Sequence, residues 1–403
     1  MNPTKGKFAV LVGDGMADEA VPELDNCTPL EYARTPNMDS VVSRGRLLRV
    51  RTVPEGMPPG SDVANMSLMG YDPAKYYRGR APIEAAGLGI ALGPDETAFR
   101  CNLVCLRNGI MADYSAGHIG TDDARELIGL LNDALGSDTV TFHPGVSYRH
   151  LLVLKEFPEG ELVCTPPHDI SGTAFDSYLP RGAGQELVRE IMLSAREVLR
   201  PAAVNQRRID RGTEPATDIW LWGQGTAVVL PTLHERFGIS GSVISAVDLV
   251  RGIGTLAGLR VRMVRGATGY LDTNYAGKVE AARNALKDEQ FVYLHVEAPD
   301  ETSHEGSVEK KVRAIEDFDR YVVGEMLKLA DTMDALRILV MPDHATLLST
   351  RTHRGGDVPA AVCGRGVRSG GNETGYSESN AREKPLLDGV SLFERFIAGS
   401  FDG

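Results

Sequence analysis

Long apolar runs are missing from this chain of 403 residues. None approaches the ~18 residues that a membrane-spanning helix needs, so no membrane partner is expected. The short run at residues 8–12 follows Lys5 and Lys7 and stops at Gly13-Asp14. It is too short for the core of a secretion signal and has no cleavage region after it, which makes a cytoplasmic location the expectation. Cysteine is scarce. Cys27, Cys101, Cys105, Cys164 and Cys363 form an odd set without a CxxC pair and read as free thiols, not a disulfide framework. Positive charge is in deficit, with 43 basic against 55 acidic residues and a net charge of −12. That balance argues against nucleic acid as the main partner, yet leaves room for a local basic pocket around a small anion. No GxxxxGK[ST] loop occurs, and Gly252-Ile253-Gly254 lacks the further glycine of a dinucleotide loop, so no nucleotide cofactor is expected.

What is present is a globular chain. Hydrophobic residues reach 42% and charged residues 24%, and the length suits two or three domains. Glycine is in excess, 44 residues or about 11% against a usual ~7%, and marks tight strand-to-helix turns. Residues 8–12 read as a buried strand stopped by Gly13-Asp14-Gly15. Thr35-Pro36 opens a helix with proline in the first turn. A loop over 53–60 leads into a helical pattern from Ser61, which therefore sits at a helix N-terminus, where backbone N–H groups favour an anion.

From about residue 100 the texture changes, with strand-like segments at 102–106, 150–154, 161–164, 218–222, 243–247 and 260–264 and helical periodicity at 121–135 and 185–199. Near 278 the first texture resumes. Strands at 291–296, 338–341 and 358–362 alternate with helices, apolar residues recur at helical spacing from Val312 to Leu329, and a glycine-rich stretch spans 364–375. The expected architecture is α/β: a mostly parallel sheet flanked by helices, formed by residues 1–99 and 278–403, with a second α/β domain, 100–277, inserted. In Trp220-Leu221-Trp222 the two indoles share one strand face and read as packing residues.

Three strand ends carry metal-ligand types. The first ends at Asp14, the second runs into Asp300 and His304, and the third into Asp343-His344, with His353 nine residues on. Carboxylates and imidazoles gathered beyond one sheet edge suit Mn²⁺ or Zn²⁺, with Mg²⁺ the harder alternative. The set divides evenly: Asp14, Asp343 and His344 for one ion, and Asp300, His304 and His353 for the other, with Ser61 bridging. Taken singly, each has a plainer reading. Asp14 could form a turn, Asp300 and His304 an exposed helical pair, Asp343-His344 a loop dipeptide, and Ser61 a helix cap. Three of only nine histidines falling just after strands favours the joint reading.

The stretches Gly13-Asp14-Gly15-Met16, Thr35-Pro36-Asn37-Met38-Asp39, Pro59-Gly60-Ser61-Asp62, Gly70-Tyr71-Asp72-Pro73, Tyr76-Tyr77-Arg78-Gly79-Arg80, Asp113-Tyr114-Ser115-Ala116-Gly117-His118, Glu297-Ala298-Pro299-Asp300 and Asp343-His344 cover nearly the whole chain. Together they resemble the archaeal-type cofactor-independent phosphoglycerate mutases, a branch of the alkaline phosphatase superfamily. The resemblance implies an alkaline-phosphatase-like core and interconversion of 3-phosphoglycerate and 2-phosphoglycerate without bisphosphoglycerate. It also implies a phosphoserine at Ser61, one metal on Asp14, Ser61, Asp343 and His344, and a second on Asp300, His304 and His353. The inserted domain is then expected to close over a small phosphorylated substrate.

Substrate contacts carry over less directly. His118 is the candidate acid/base or phosphate contact, since imidazole titrates near neutrality. Arg80, Arg149 and Lys278 are candidate anion contacts, and Asp169 is the candidate for ordering a neighbouring basic group. Two rival activities remain: a homoserine kinase of the same general type and a metal-dependent phosphatase. The residues carry no signal of self-association in either direction.

Overall fold

The strand Lys7–Gly13 forms where the sequence is continuously apolar, and it lies at the centre of an eight-stranded sheet. A computed structural model describes residues 6–370 and 375–401. Lys5 and residues 371–374 of the glycine-rich stretch lie outside the described residues. Across the sheet the strands run Arg260–Val261, Gly241–Ile244, Phe291–Val296, Lys7–Gly13, Leu336–Met341, Asp357–Gly364, Arg46–Arg51 and Leu386–Asp388. The first five are mutually parallel, and Asp357–Gly364 is antiparallel to both its neighbours. The sheet is therefore mostly parallel, with its central strands buried on both faces, as their unbroken apolar runs require.

Register decides where the loops meet. Gly13 lies opposite Val296, and Val12 opposite Met341. Three neighbouring strands thus end at one level, and the residues just beyond them are brought together at the carboxyl edge, where open α/β sheets bind ligands.

The Val312 to Leu329 periodicity corresponds to helices Val308–Phe318 and Gly324–Ala330, joined through a π-helical turn, Asp319–Val323. The turn gives Asp319 a capping role. Its carboxylate accepts from the backbone N–H groups of Asn37 (3.2 Å) and Met38 (2.7 Å) at the start of helix Pro36–Arg44. Thr35 makes no side-chain cap there, so the orphan donors of that first turn are met from a distant segment.

The chain divides into two compact units, residues 1–77 with 229–403, and residues 78–228. These limits differ from the expected 99/100 and 277/278. The strand Gly241–Ile244 pairs with Phe291–Val296, and Arg260–Val261 pairs with Gly241–Ile244, so residues 229–277 extend the large sheet.

In the smaller unit, Glu96–Arg107 is the central antiparallel strand. It pairs with Ile110–Asp113, Arg149–Lys155 and Asp218–Thr226, and Val140–Val146 completes the sheet beyond Arg149–Lys155. Phe99, Cys101 and Leu103 join one core with residues of helices Thr121–Leu135 and Gln185–Leu199. Ala98 packs instead with Ala81 and Ala85 of helix Arg80–Gly87. Two-residue alternation along one strand thus serves two layers. Trp220 and Trp222 are both in the first core, with the indole of Trp220 donating to the Thr165 carbonyl and that of Trp222 to Asn102 Oδ1.

Candidate metal and phosphoryl-transfer site

Beyond the carboxyl edge of the large sheet, Asp14 follows strand Lys7–Gly13 directly, and its backbone N–H donates to the Val296 carbonyl at 2.9 Å. Gly15 makes the crowding around it possible. Its φ is +61°, and a Cβ there would fall 2.6 Å from Asp300 Oδ1, so only glycine suits this turn. Asp343 follows Leu336–Met341 after Pro342. Its Oδ1 accepts from the Gly15 and His344 N–H groups at 3.1 and 2.9 Å.

Helix Ala298–His304 carries Asp300 and His304 one turn apart, with His304 Nε2 3.2 Å from Asp300 Oδ2. His353 returns through a hairpin. Strands Ala345–Leu347 and Thr352–Arg354 pair Thr346 with His353, which places the His353 ring centroid 4.4 Å from that of His344 and 4.9 Å from that of His304. Ser61 opens helix Ser61–Leu68, and its Oγ lies 3.0 Å from His344 Nε2.

Three groups of possible ligand atoms result among the described residues: Asp300, His304 and His353; Asp14, Asp300 and His344; and Asp14, His295 and Asp343. The first contains the same three residues as one of the expected sets. The other two draw on Asp300 and His295 beside Asp14. His295 was not anticipated. It alternates with Tyr293 inside an apolar strand, and its Nε2 lies 3.1 Å from Asp14 Oδ2. A polar residue embedded in a run that reads as core was the one available signal.

The site's electrostatics call for positive charge. Burial, followed by the nearby charges of Asp343 and Asp300, pushes the Asp14 carboxyl well above its ordinary range, and Asp14 Oδ1 has no hydrogen-bond partner. Burial would also raise Asp300, but the imidazoles of His304 and His353 hold it well below the ordinary carboxylate range. His304 Nδ1 lies 2.8 Å from the Arg351 carbonyl, which can only accept, so Nδ1 carries the proton. Nε2 faces the Asp300 carboxylate and lies 3.1 Å from His353 Nε2, and against burial that carboxylate raises the imidazole to about 9, so a divalent cation would take the place of the Nε2 proton. Two imidazole nitrogens face each other beside a buried carboxylate. Buried carboxylates of this kind are paired or coordinate metals. The donor set fits divalent metal ions.

Of the remaining sequence candidates, one is in the larger unit and four are in the smaller. Lys278 is fully buried in the larger unit, its Nζ donating to the His295 carbonyl at 3.0 Å. Burial pulls its pKa down to about 8 despite the charge of Glu297. In the smaller unit, Arg80 Nε donates to Glu84 Oε1 at 2.9 Å, and the Arg149 guanidinium lies over the Tyr148 ring. His118, at φ +48°, makes edge contacts with Tyr114 and Tyr148. Asp169 Oδ1 lies 3.5 Å from His168 Nε2. Arg100 escaped the sequence reading because it sits within a strand of apolar texture. It is buried, pairs with Glu84 at 2.8 Å and lies over Trp222. Burial would raise Glu84, but Arg100, Arg80 and Arg149 hold it low.

Comparison with known proteins places the chain. A family model described as 2,3-bisphosphoglycerate-independent phosphoglycerate mutase matches residues 43–205. A protein of that name from Methanosarcina acetivorans is 54% identical over 88% of this chain and 90% of its own. Another, from Methanothrix thermoacetophila, is 50% identical over 98% of this chain and 100% of its own. Among solved structures, a Pyrococcus horikoshii protein superposes with a TM-score of 0.81 at 27% identity, covering 99% of both chains. The cofactor-independent phosphoglycerate mutase of Thermoplasma acidophilum follows with a TM-score of 0.64 at 25% identity, covering 98% of this chain and 99% of that one. Half or more of the aligned residues are thus shared with relatives matched along most of their length, and the chain belongs to the 2,3-bisphosphoglycerate-independent phosphoglycerate mutase family.

Proposed function

We propose that the protein interconverts 3-phosphoglycerate and 2-phosphoglycerate without a bisphosphorylated cofactor, with Ser61 as the transient phosphoryl carrier. The observation that carries this is the placement of Ser61 Oγ at a helix N-terminus, 3.0 Å from His344 and beside the buried Asp and His cluster. A serine hydroxyl is a weak nucleophile unless its surroundings activate it. Two divalent ions, one held by Asp14, Asp343, His344 and Ser61 and one by Asp300, His304 and His353, would favour the serine alkoxide and stabilise charge on the transferring phosphoryl group. The mixed oxygen and nitrogen donors suit Mn²⁺ or Zn²⁺ better than Mg²⁺.

The bonds balance in two transfers. Ser61 Oγ loses its proton and bonds to phosphorus as the bond from phosphorus to the substrate's 3-oxygen breaks, and that oxygen takes up a proton. The 2-hydroxyl of the same glycerate then gives up its proton and takes the phosphoryl group, returning Ser61 to its hydroxyl. No external donor is consumed. Arg80, Arg149, Lys278 and His118 are the proposed contacts for the substrate's carboxylate and phosphate, and guanidinium groups offer them paired donors. Asp169 is proposed to order His168.

The test supplies metal-loaded protein with 3-phosphoglycerate and no bisphosphoglycerate, and in a second tube with homoserine and ATP. Formation of 2-phosphoglycerate in the first and no phosphohomoserine in the second is expected. Release of inorganic phosphate alone, or phosphorylation of homoserine, would overturn the reading.

A further inference from the structure

One helical turn after Ser61, the side chain of Asn65 is completely buried and touches three groups. Its Nδ2 donates to Asp343 Oδ2 at 2.7 Å and to the Ser61 carbonyl at 2.8 Å. Its Oδ1 accepts from the Tyr293 hydroxyl at 2.6 Å. The chemistry leaves the amide one orientation. A carboxylate and a carbonyl can only accept, so both need the amino end, and the phenol donates to the carbonyl end. Tyr293, also completely buried, projects from the same face of strand Phe291–Val296 as His295, two residues on. Asp343 is thereby fixed at both oxygens, since its Oδ1 is already held by the N–H groups of Gly15 and His344.

We infer that Asn65, locked by Tyr293, is a positioning residue that ties the backbone of the nucleophilic serine to the Asp343 carboxylate. The inference rests on the phosphoryl-transfer reading of Ser61 and Asp343. Both polar atoms of the Asn65 side chain are taken up by protein groups. It sets the distance between the hydroxyl that attacks and the carboxylate that helps hold a metal, at the end of a buried chain with no slack in it. Partners standing behind a ligand in this way are typically worth ~10–100-fold in metal affinity or activity.

Two substitutions test it. Asn65→Asp keeps size and shape but puts an acceptor where Asp343 and the Ser61 carbonyl need a donor. Tyr293→Phe removes one hydroxyl and keeps the ring in place. For each, kcat and KM for 3-phosphoglycerate, Mn²⁺ affinity by competition with a chromogenic chelator, and the thermal midpoint of the metal-free protein are measured. Asn65→Asp is expected to lower kcat by about 100-fold and weaken Mn²⁺ binding at least tenfold, with KM changed less than about threefold. Tyr293→Phe should move both quantities the same way by about tenfold.

Should Asn65→Asp fail to fold, Tyr293→Phe decides alone. Values of kcat and Mn²⁺ affinity within twofold of the parent in the folded variants would overturn the inference. So would a fall in thermal midpoint with both of those quantities preserved. Absence of mutase turnover in the parent protein would instead count against the activity assignment, and the chelator measurement would still read the positioning role.

Discussion

Ser61 Oγ lies 3.0 Å from His344 Nε2 across 283 residues of chain. The helix that begins at Ser61 and the loop after strand Leu336–Met341 share no local sequence logic. Their meeting gives a hydroxyl a place beside the buried carboxylates and imidazoles.

From that contact follows the outcome of Ser61→Ala. Turnover should fall by at least about 10³-fold, as expected when a covalent carrier is lost. Metal content, measured by elemental analysis after gel filtration, should stay near the parent value because six other ligands remain. Acid-quenched parent protein exposed to labelled phosphoglycerate should carry phosphate on the Ser61 peptide. Substantial turnover by the metal-replete variant would dismiss the serine as carrier.

Removing metal should separate activity from fold. Exhaustive chelation is expected to abolish mutase activity while far-ultraviolet circular dichroism stays close to that of the loaded protein, since the large sheet has its own apolar core. Activity surviving with metal near zero would contradict the site as drawn.

His304→Ala deletes one of the two imidazole nitrogens that face each other at 3.1 Å. Loss of a direct ligand should weaken binding by more than the ~10–100-fold typical of a supporting residue. Isothermal titration with Mn²⁺ would register one weak and one retained site. Two unaltered sites would remove His304 from the ligand set.

Lys311 offers a stability test. It is completely buried, and its ammonium donates to Asp18 Oδ2 at 2.8 Å and to the carbonyls of Ala17 and Thr346. Lys311→Met leaves the Asp18 carboxylate buried without its cation, a change that costs about 3–5 kcal/mol. Urea unfolding of the metal-free protein measures it, and a loss below about 1 kcal/mol would argue against the pair as a stabilising contact.

Glu378 makes stability depend on pH. Burial pushes its carboxyl from an ordinary 4.5 up to about 7, against the hydrogen bonds from Thr28 and Asp18. Between those values the folded state holds a proton that the unfolded state has released, so stability falls as pH rises through this window. Glu378→Gln mimics the protonated form. Relative to the parent, it should be near neutral at pH 4 and more stable by about 3 kcal/mol at pH 8. A parent-minus-variant difference that is flat with pH would refute the shift.

Much of the site was legible in the sequence for a physical reason. Strands of parallel sheets end in abrupt polar punctuation, and ligands gather beyond those ends. Asp14, Asp300 and Asp343-His344 each stand just past an apolar run, so their meeting at one sheet edge could be read before any fold was known. Local periodicity likewise located the helix starting at Ser61 and the strand Lys7–Gly13.

Tertiary structure alone decided who pairs with whom. Strand Gly241–Ile244 has the same local texture as the strands of the smaller unit, and only its pairing with Phe291–Val296 assigns it to the large sheet. His295 and Tyr293 sit within an apolar run, where nothing local separates a buried polar side chain facing Asp14 or Asn65 from one satisfied elsewhere. His295 stands beside Asp14 for the same reason. Which carboxylate lies nearest which imidazole depends on strand register and on the hairpin that pairs Thr346 with His353, and register is set by contacts between residues hundreds of positions apart.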